Sequence, residues 1–190
     1  MLPSPGGPAD AIVAFSAHSV LSADIDPDAV HRALPGDDPG APMSAPFVAW
    51  VAETIGAEAG SLDVVLVADP SPSGTALDEV EADHPRVVRA QSYRDEISTW
   101  TDPERTGLAI LGRGLAGRLE VSVEVEPQHR GTGRGRVLAA AARGLVPAGE
   151  HLFAQVAPGN VASLRAFLAA GYRPIGAEVL FLRHIGPRDA

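Results

Sequence analysis

The chain of 190 residues and 19.6 kDa is long enough for one domain with a substantial core. Hydrophobic residues make up 45% and charged residues 21%, the balance of a folded chain and not of a disordered one. There is no cysteine and no lysine, all 15 basic residues being arginine, which excludes disulfides, thiolate metal sites, a cysteine nucleophile, a lysine Schiff base and a P-loop lysine.

The net charge of −9 is unevenly spread: residues 1–100 hold 16 acids and 4 arginines, residues 101–190 hold 8 acids and 11 arginines. So acidic a chain lacks the basic footprint of a nucleic-acid binder, although its second half can receive a small polyanion and its first half favours a cationic partner. The apolar stretch Ala11 to Phe15 is too short for a signal sequence or a membrane span, so a cytoplasmic location is the default expectation.

In chain order, residues 1–10 read as a disordered, Pro/Gly-rich start, and residues 11–190 as a single domain. Ala11 to Leu21 reads as a strand. Asp26-Pro27 predicts an N-cap with proline at the first helical position, opening a helix to about Leu34. Phe47, Val48, Val51, Ile55 and Ala59 recur at helical spacing, and the apolar run Leu62 to Ala68 predicts a buried strand. A short acidic helix is expected around Leu77 to Ala82. Strands are then expected over Arg86–Tyr93, Glu96–Trp100, Gly107–Leu111 and Arg118–Glu126. The last alternates, with Leu119, Val121, Val123 and Val125 on one face and Glu120, Ser122, Glu124 and Glu126 on the other. Helices are expected over Arg134–Leu145 and Val161–Ala170, the second with Val161, Leu164, Phe167 and Leu168 inward. Strands are expected over Leu152–Ala157 and Val179–His184. The order reads as α/β.

The richest stretch is Val125-Glu-Pro-Gln-His-Arg-Gly-Thr-Gly-Arg-Gly-Arg-Val-Leu, in which a strand ends and Arg130-Gly131-Thr132-Gly133-Arg134-Gly135 turns into an alanine-rich helix. Glycines let the main chain approach a ligand, and the first amides of a helix have no partners inside it, which suits a phosphate. A tight turn that packs helix on sheet is the plainer reading. A dinucleotide fold needs GxGxxG and an acid at the end of the next strand; the spacing differs, and Glu150 precedes that strand. The six histidines show no metal-ligand spacing, so no metal is expected.

Together with Val125-Glu126-Pro127 before the turn, and with Asn160, Phe167, Gly171 and Tyr172 some thirty residues later, this stretch resembles the GNAT superfamily of acyl-CoA N-acyltransferases. The resemblance covers roughly residues 107–184. It implies a mixed, mostly antiparallel sheet, splayed at the centre, with helices on both faces. It further implies acetyl-CoA as co-substrate and acetyl transfer to a primary amine by direct attack. Backbone amides from Gly131 to Arg136, through Thr132, Gly133, Arg134 and Gly135, would hold the pyrophosphate, with Arg130, Arg134 and Arg136 near the phosphates. Strand amides at Val123 and Val125 would bond the pantetheine arm and polarise the thioester carbonyl, as an oxyanion site, and Asn160 and Ser163 would lie near the coenzyme. Asn160 reads equally as an ordinary N-cap.

A base is needed because an alkylammonium of pKa about 10.4 is almost wholly protonated at pH 7. Glu120 and Glu124 are the candidates, on one strand face with Cα atoms roughly 13 Å apart, too far to act as a pair. The alternative is a solvated sheet face. Many family members carry tyrosine at the position of Phe167 as general acid, and phenylalanine cannot donate, so the acid is unassigned. Tyr172 reads as packing. The acceptor is expected to be a small-molecule or peptide amine, a cationic one being favoured, with no nucleic acid or membrane partner; homodimers are common in the family. The rival reading is a coenzyme A-binding sensor that has lost catalysis.

Overall fold

The computed structural model describes residues 1–34, 36, 38–72 and 75–183. His184, expected to end the last strand, lies outside the described residues. Contacts divide the chain, read from sequence as one domain, into two compact units: Met1–Val64 with the chain from Ile175 onward, and Val65–Pro174.

In the first unit, β1 (Ala9–Ala14) pairs antiparallel with β2 (Ser19–Ser22), so the single strand expected over 11–21 is a hairpin. The chain start is pinned to it: Leu2 bridges Ser22, and the Ser4 amide donates to Asp24. Helix α1 (Pro27–Ala33) begins where Asp26 accepts hydrogen bonds from the amides of Asp28 and Ala29. Helix α2 (Ala45–Ile55) ends at Gly56 with φ +63°, a left-handed cap that stops it before Ala59. Strand β3 (Ala57–Ala68) follows at once, longer than its apolar half, and β9 (Arg173–Arg183) pairs antiparallel with β1. Ile12, Val30, Phe47, Val51, Val179 and Phe181 form an apolar core.

The second unit is a sheet of β4 (Asp78–Glu79), β5 (Asp95–Thr101), β6 (Gly107–Arg113), β7 (Leu119–Val125) and β8 (Leu152–Val156). The first four pair antiparallel in sequence order, and β8 joins β7 in parallel. Two expectations fail here. The acidic helix near 77–82 is instead the two-residue strand β4. Arg86–Tyr93 is not a strand but α3 (Pro85–Gln91): Pro85 sits in the first turn, His84 Nδ1 accepts from the Arg86 amide at 3.0 Å, and Val87 and Ala90 pack together on Ile110.

Helices cover both faces of this sheet. Leu108 and Ile110 of β6 meet α3, whereas a Cβ on Gly107 would meet Leu138 of α4 (Arg134–Ala142), on the opposite face. Register then assigns β7: Val121, Val123 and Val125 lie on the α4 face, and Glu120, Ser122 and Glu124 on the α3 face. The fold is thus α/β with a mostly antiparallel sheet. No helix among the described residues is long and apolar enough to cross a membrane.

Candidate active site

Strands β7 and β8 pair only at Leu119↔Leu152 and Glu120↔Phe153. Beyond those two positions they hold no pairing, which opens the sheet between Val121–Val125 and Ala154–Val156. The direction of the free backbone groups follows from the ladder on the other side. The Glu126 amide donates to the Thr106 carbonyl at 3.0 Å, and antiparallel bonding alternates, so Glu124, Ser122 and Glu120 direct their backbone groups at β6. The Val121 carbonyl and the amides and carbonyls of Val123 and Val125 point the other way, into the opening, while the Val121 amide is taken up by the parallel pairing at Phe153.

At the wide end of the opening stands the glycine turn. Gly131 and Gly133 have φ of +78° and +86°, and a Cβ on either would meet nothing. Among the described residues, the amides of Gly131, Thr132 and Gly133 have no backbone acceptor, and the start of α4 adds Arg134 and Gly135. Arg136 differs from expectation in its main chain: its amide closes the first turn on the Gly133 carbonyl at 3.1 Å, while its side chain is exposed. A Cβ on Gly135 would make only ordinary contacts, at 3.6 Å from Val125 and from Ala166, so this glycine lies where α4 meets β7 and α5 without being required by packing. The turn therefore has room and free donors for an anionic group.

The other expected coenzyme contacts have local partners. Arg130 folds back along β7, its Nε donating to the Val125 carbonyl at 3.1 Å and its Nη2 to Glu124 at 2.9 Å. Arg134 pairs with Glu104. Asn160 caps α5 (Val161–Ala169), its Oδ1 accepting from the Ser163 amide at 3.1 Å. On α5, Phe167 is buried, but Val161 and Leu168 are exposed, so the inward stripe is narrower than expected. Tyr172 is buried edge-on against Phe167, with its hydroxyl donating to the Ala139 carbonyl. Burial pushes that phenol well above the ordinary tyrosine range. Its proton is committed to the α4 backbone.

The α3 face of β7 is neither solvated nor free. Glu120 is 2% exposed and accepts from Arg94 Nε at 2.8 Å, Arg118 Nε at 2.7 Å and the Leu115 amide at 3.3 Å. Gly114 is where its carboxyl fits, since a Cβ there would overlap it. Glu124, half-buried, is held by Arg86 and Arg130. Burial alone would raise its pKa, but the hydrogen bonds and charges of the two guanidiniums bring it below the usual carboxylate range. Sequence reasoning placed the two carboxylates on one face but missed Arg86, Arg94 and Arg118. Arg118, two residues before Glu120, was within reach of the strand alternation. Arg86 and Arg94 were not, because they stand 38 and 26 residues from the acids they hold.

Residues 115–181 match the model of the family described as FR47-like protein. The matched stretch contains both the glycine turn and the Asn160-to-Tyr172 signature, and it supports the resemblance to the GNAT superfamily. Solved structures similar to the chain include a GCN5-related N-acetyltransferase from Kribbella flavida, with 18% identity, TM-score 0.46 and coverage of 74% of this chain and 65% of that one. A GCN5-related N-acetyltransferase from Sphaerobacter thermophilus has 17% identity, TM-score 0.44 and coverage of 77% and 58%. A GCN5-related N-acetyltransferase-like protein from Streptococcus suis has 12% identity, TM-score 0.47 and coverage of 92% and 84%. The chain thus spans less than two thirds of the length of the first two. No curated protein matches it significantly.

Proposed function

We propose that the protein is an acyl-CoA-dependent N-acyltransferase that moves an acetyl group from acetyl-CoA to a primary amine. The observation that carries the reading is the opening between β7 and β8, lined by unpaired strand amides and leading to a glycine turn with free amides at the start of a helix. Such a slot accepts an extended amide-bearing arm with an anionic group at one end, which is the form of coenzyme A. The family match over the same residues supports it.

In this reading the backbone amides of Gly131–Gly135 hold the pyrophosphate, and Val123 and Val125 bond the arm. The acceptor amine attacks the thioester carbonyl carbon; the C–N bond forms, the C–S bond breaks, and the proton shed by the amine passes to a base. Of the two carboxylates, Glu124 is the one with access to water, its side chain being 19% exposed against 2% for Glu120. Arg86 and Arg130 weaken it as a base, so the expected contribution lies at the low end of general-base catalysis, about 100-fold. The thiolate leaves without a donor from Phe167, at a cost of about 2 kcal/mol for a thiol of pKa about 8.5 at pH 7. The acceptor is a small-molecule or peptide amine. Four guanidiniums face two carboxylates here, so the acidity of residues 1–100 gives no preference for a cationic acceptor at this face.

The occupied carboxylates and the missing hydroxyl at Phe167 also favour a second reading, a coenzyme-binding module without catalysis. Calorimetry with acetyl-CoA on wild type and Gly133→Asp, followed by turnover over an amine panel, separates the two. Micromolar binding lost in the variant, with turnover reduced about 100-fold in Glu124→Gln, is expected. Binding without turnover leaves the second reading, and no binding by folded wild type overturns both.

A further inference from the structure

The narrow end of the same opening holds a side chain that none of the above uses. Gln155 lies on β8 two residues beyond Phe153, the last residue paired with β7, and so on the α3 face with Glu120 and Ser122. The guanidinium of Arg94, itself buried, spans the opening there: Nε donates to Glu120, Nη1 to Ser122 Oγ at 2.9 Å, and Nη2 to Gln155 Oε1 at 3.2 Å. A guanidinium only donates, so the amide orientation is decided by chemistry: Oε1 faces Arg94 and Nε2 is turned away. Among the described residues, Gln155 Nε2 is fully buried and has no hydrogen-bond partner.

An amide N–H2 buried without an acceptor carries a desolvation cost that a folded chain seldom tolerates away from a ligand. Here it is also polarised, because the cation bonded to Oε1 strengthens the N–H groups as donors. Its position fits one part of the ligand. With the phosphates at the glycine turn, beyond Val125, an arm running down the opening reaches Ser122 and Gln155 with its far end, which is the acyl thioester.

We propose that Gln155 is a carbonyl-binding residue, whose Nε2 donates to the thioester oxygen of the bound acyl-CoA, and that Arg94 is the positioning residue that orients it. The inference rests on the acyl-CoA reading above. In that role the Nε2 hydrogen bond meets the oxygen on which negative charge grows as the amine attacks.

The test compares two ligands that differ only in the acyl group. Calorimetry with acetyl-CoA and with coenzyme A is run on wild type, Gln155→Ala and Gln155→Glu; the second keeps the bond to Arg94 and removes the donor, and guards against failure of the first to fold. The expected result is a loss of about tenfold in acetyl-CoA affinity, the equivalent of one hydrogen bond, with coenzyme A affinity changed less than twofold. Arg94→Lys, which cannot bond all three acceptors in the same geometry, is expected to show the same selective loss in weaker form. Equal loss for both ligands, or no loss for either, overturns the proposal while leaving the acyl-CoA reading in place. Wild type that binds neither ligand overturns both.

Discussion

The two compact units are stabilised by different means. The first has an ordinary apolar interior, in which Ile12, Phe47, Val51 and Phe181 are removed from water against one another. The second also has apolar layers, but its β7 carries Glu120 buried among two arginines and a backbone amide, and Glu124 clasped by two more. Hydrophobic replacement of such a buried pair commonly leaves a fold equally stable or more so, so an ion network is a poor way to gain stability alone. Its place beside an unpaired stretch of sheet gives it another use, which is to hold β7 and β8 apart in one geometry through Arg94. The first unit is explained by burial; the ion network of the second is not.

The strongest way to break this contrast is to delete the centre of each arrangement. Phe181→Ala should cost about 3–5 kcal/mol in urea unfolding, from lost burial and the cavity left behind. Glu120→Ala should cost as much, about 3–5 kcal/mol, because Arg94 and Arg118 lose their shared carboxylate in a buried setting. If Glu120→Ala costs less than about 1 kcal/mol, the face behaves as the solvated surface that alternation alone permits, and the contrast fails.

A smaller change probes the network without removing any charge. Gly114→Ala puts a methyl group where the Glu120 carboxyl lies, and the carboxyl is fixed by three donors, so it cannot swing aside freely. A loss of about 1–3 kcal/mol is expected from overpacking, measured by the same unfolding curve. Gly133→Ala, at a turn with open space around its Cα, should cost only the backbone strain of its positive φ, about 1 kcal/mol. Equal costs would mean that the Glu120 carboxyl is mobile.

Most of the second unit's outline was legible in the chain. The alternation of Leu119 to Val125, Pro127 after it, the glycine turn and the Asn160 cap are local signals, and each element forms close to its expected range. Helix α3 was not legible, because Arg-Val-Val-Arg reads as a strand by propensity. Pro85, the His84 cap and the burial of Val87 and Ala90 on Ile110 override it. With α3 misread, the arginines on and after it had no reason to meet β7, and the alternation left the acids as either a wet face or a catalytic one. The pairing of Arg86 with Glu124 spans 38 residues and is decided only by the packing of the helix.

The smallest expected effect concerns pH. Burial works to raise the Glu124 pKa, but hydrogen bonds and charge from Arg86 and Arg130 outweigh it, so the folded value lies below that of the unfolded chain, about 4.3. A carboxylate whose pKa falls on folding adds stability that is fully present above the unfolded value. That contribution disappears as pH drops through the folded value. Glu124→Gln removes it at every pH. The gap in melting temperature between wild type and Glu124→Gln should therefore be constant from pH 7 down to about 5 and narrow steadily below about 4.3. The same two arginines remain in the variant, now facing a neutral amide, so the gap reports the ion pairs and not the loss of the helix. A gap that stays constant down to pH 3 would mean that the guanidiniums do not hold Glu124. The carboxylate would then have ordinary basicity, and the limit of about 100-fold on its proposed contribution as base would be lifted.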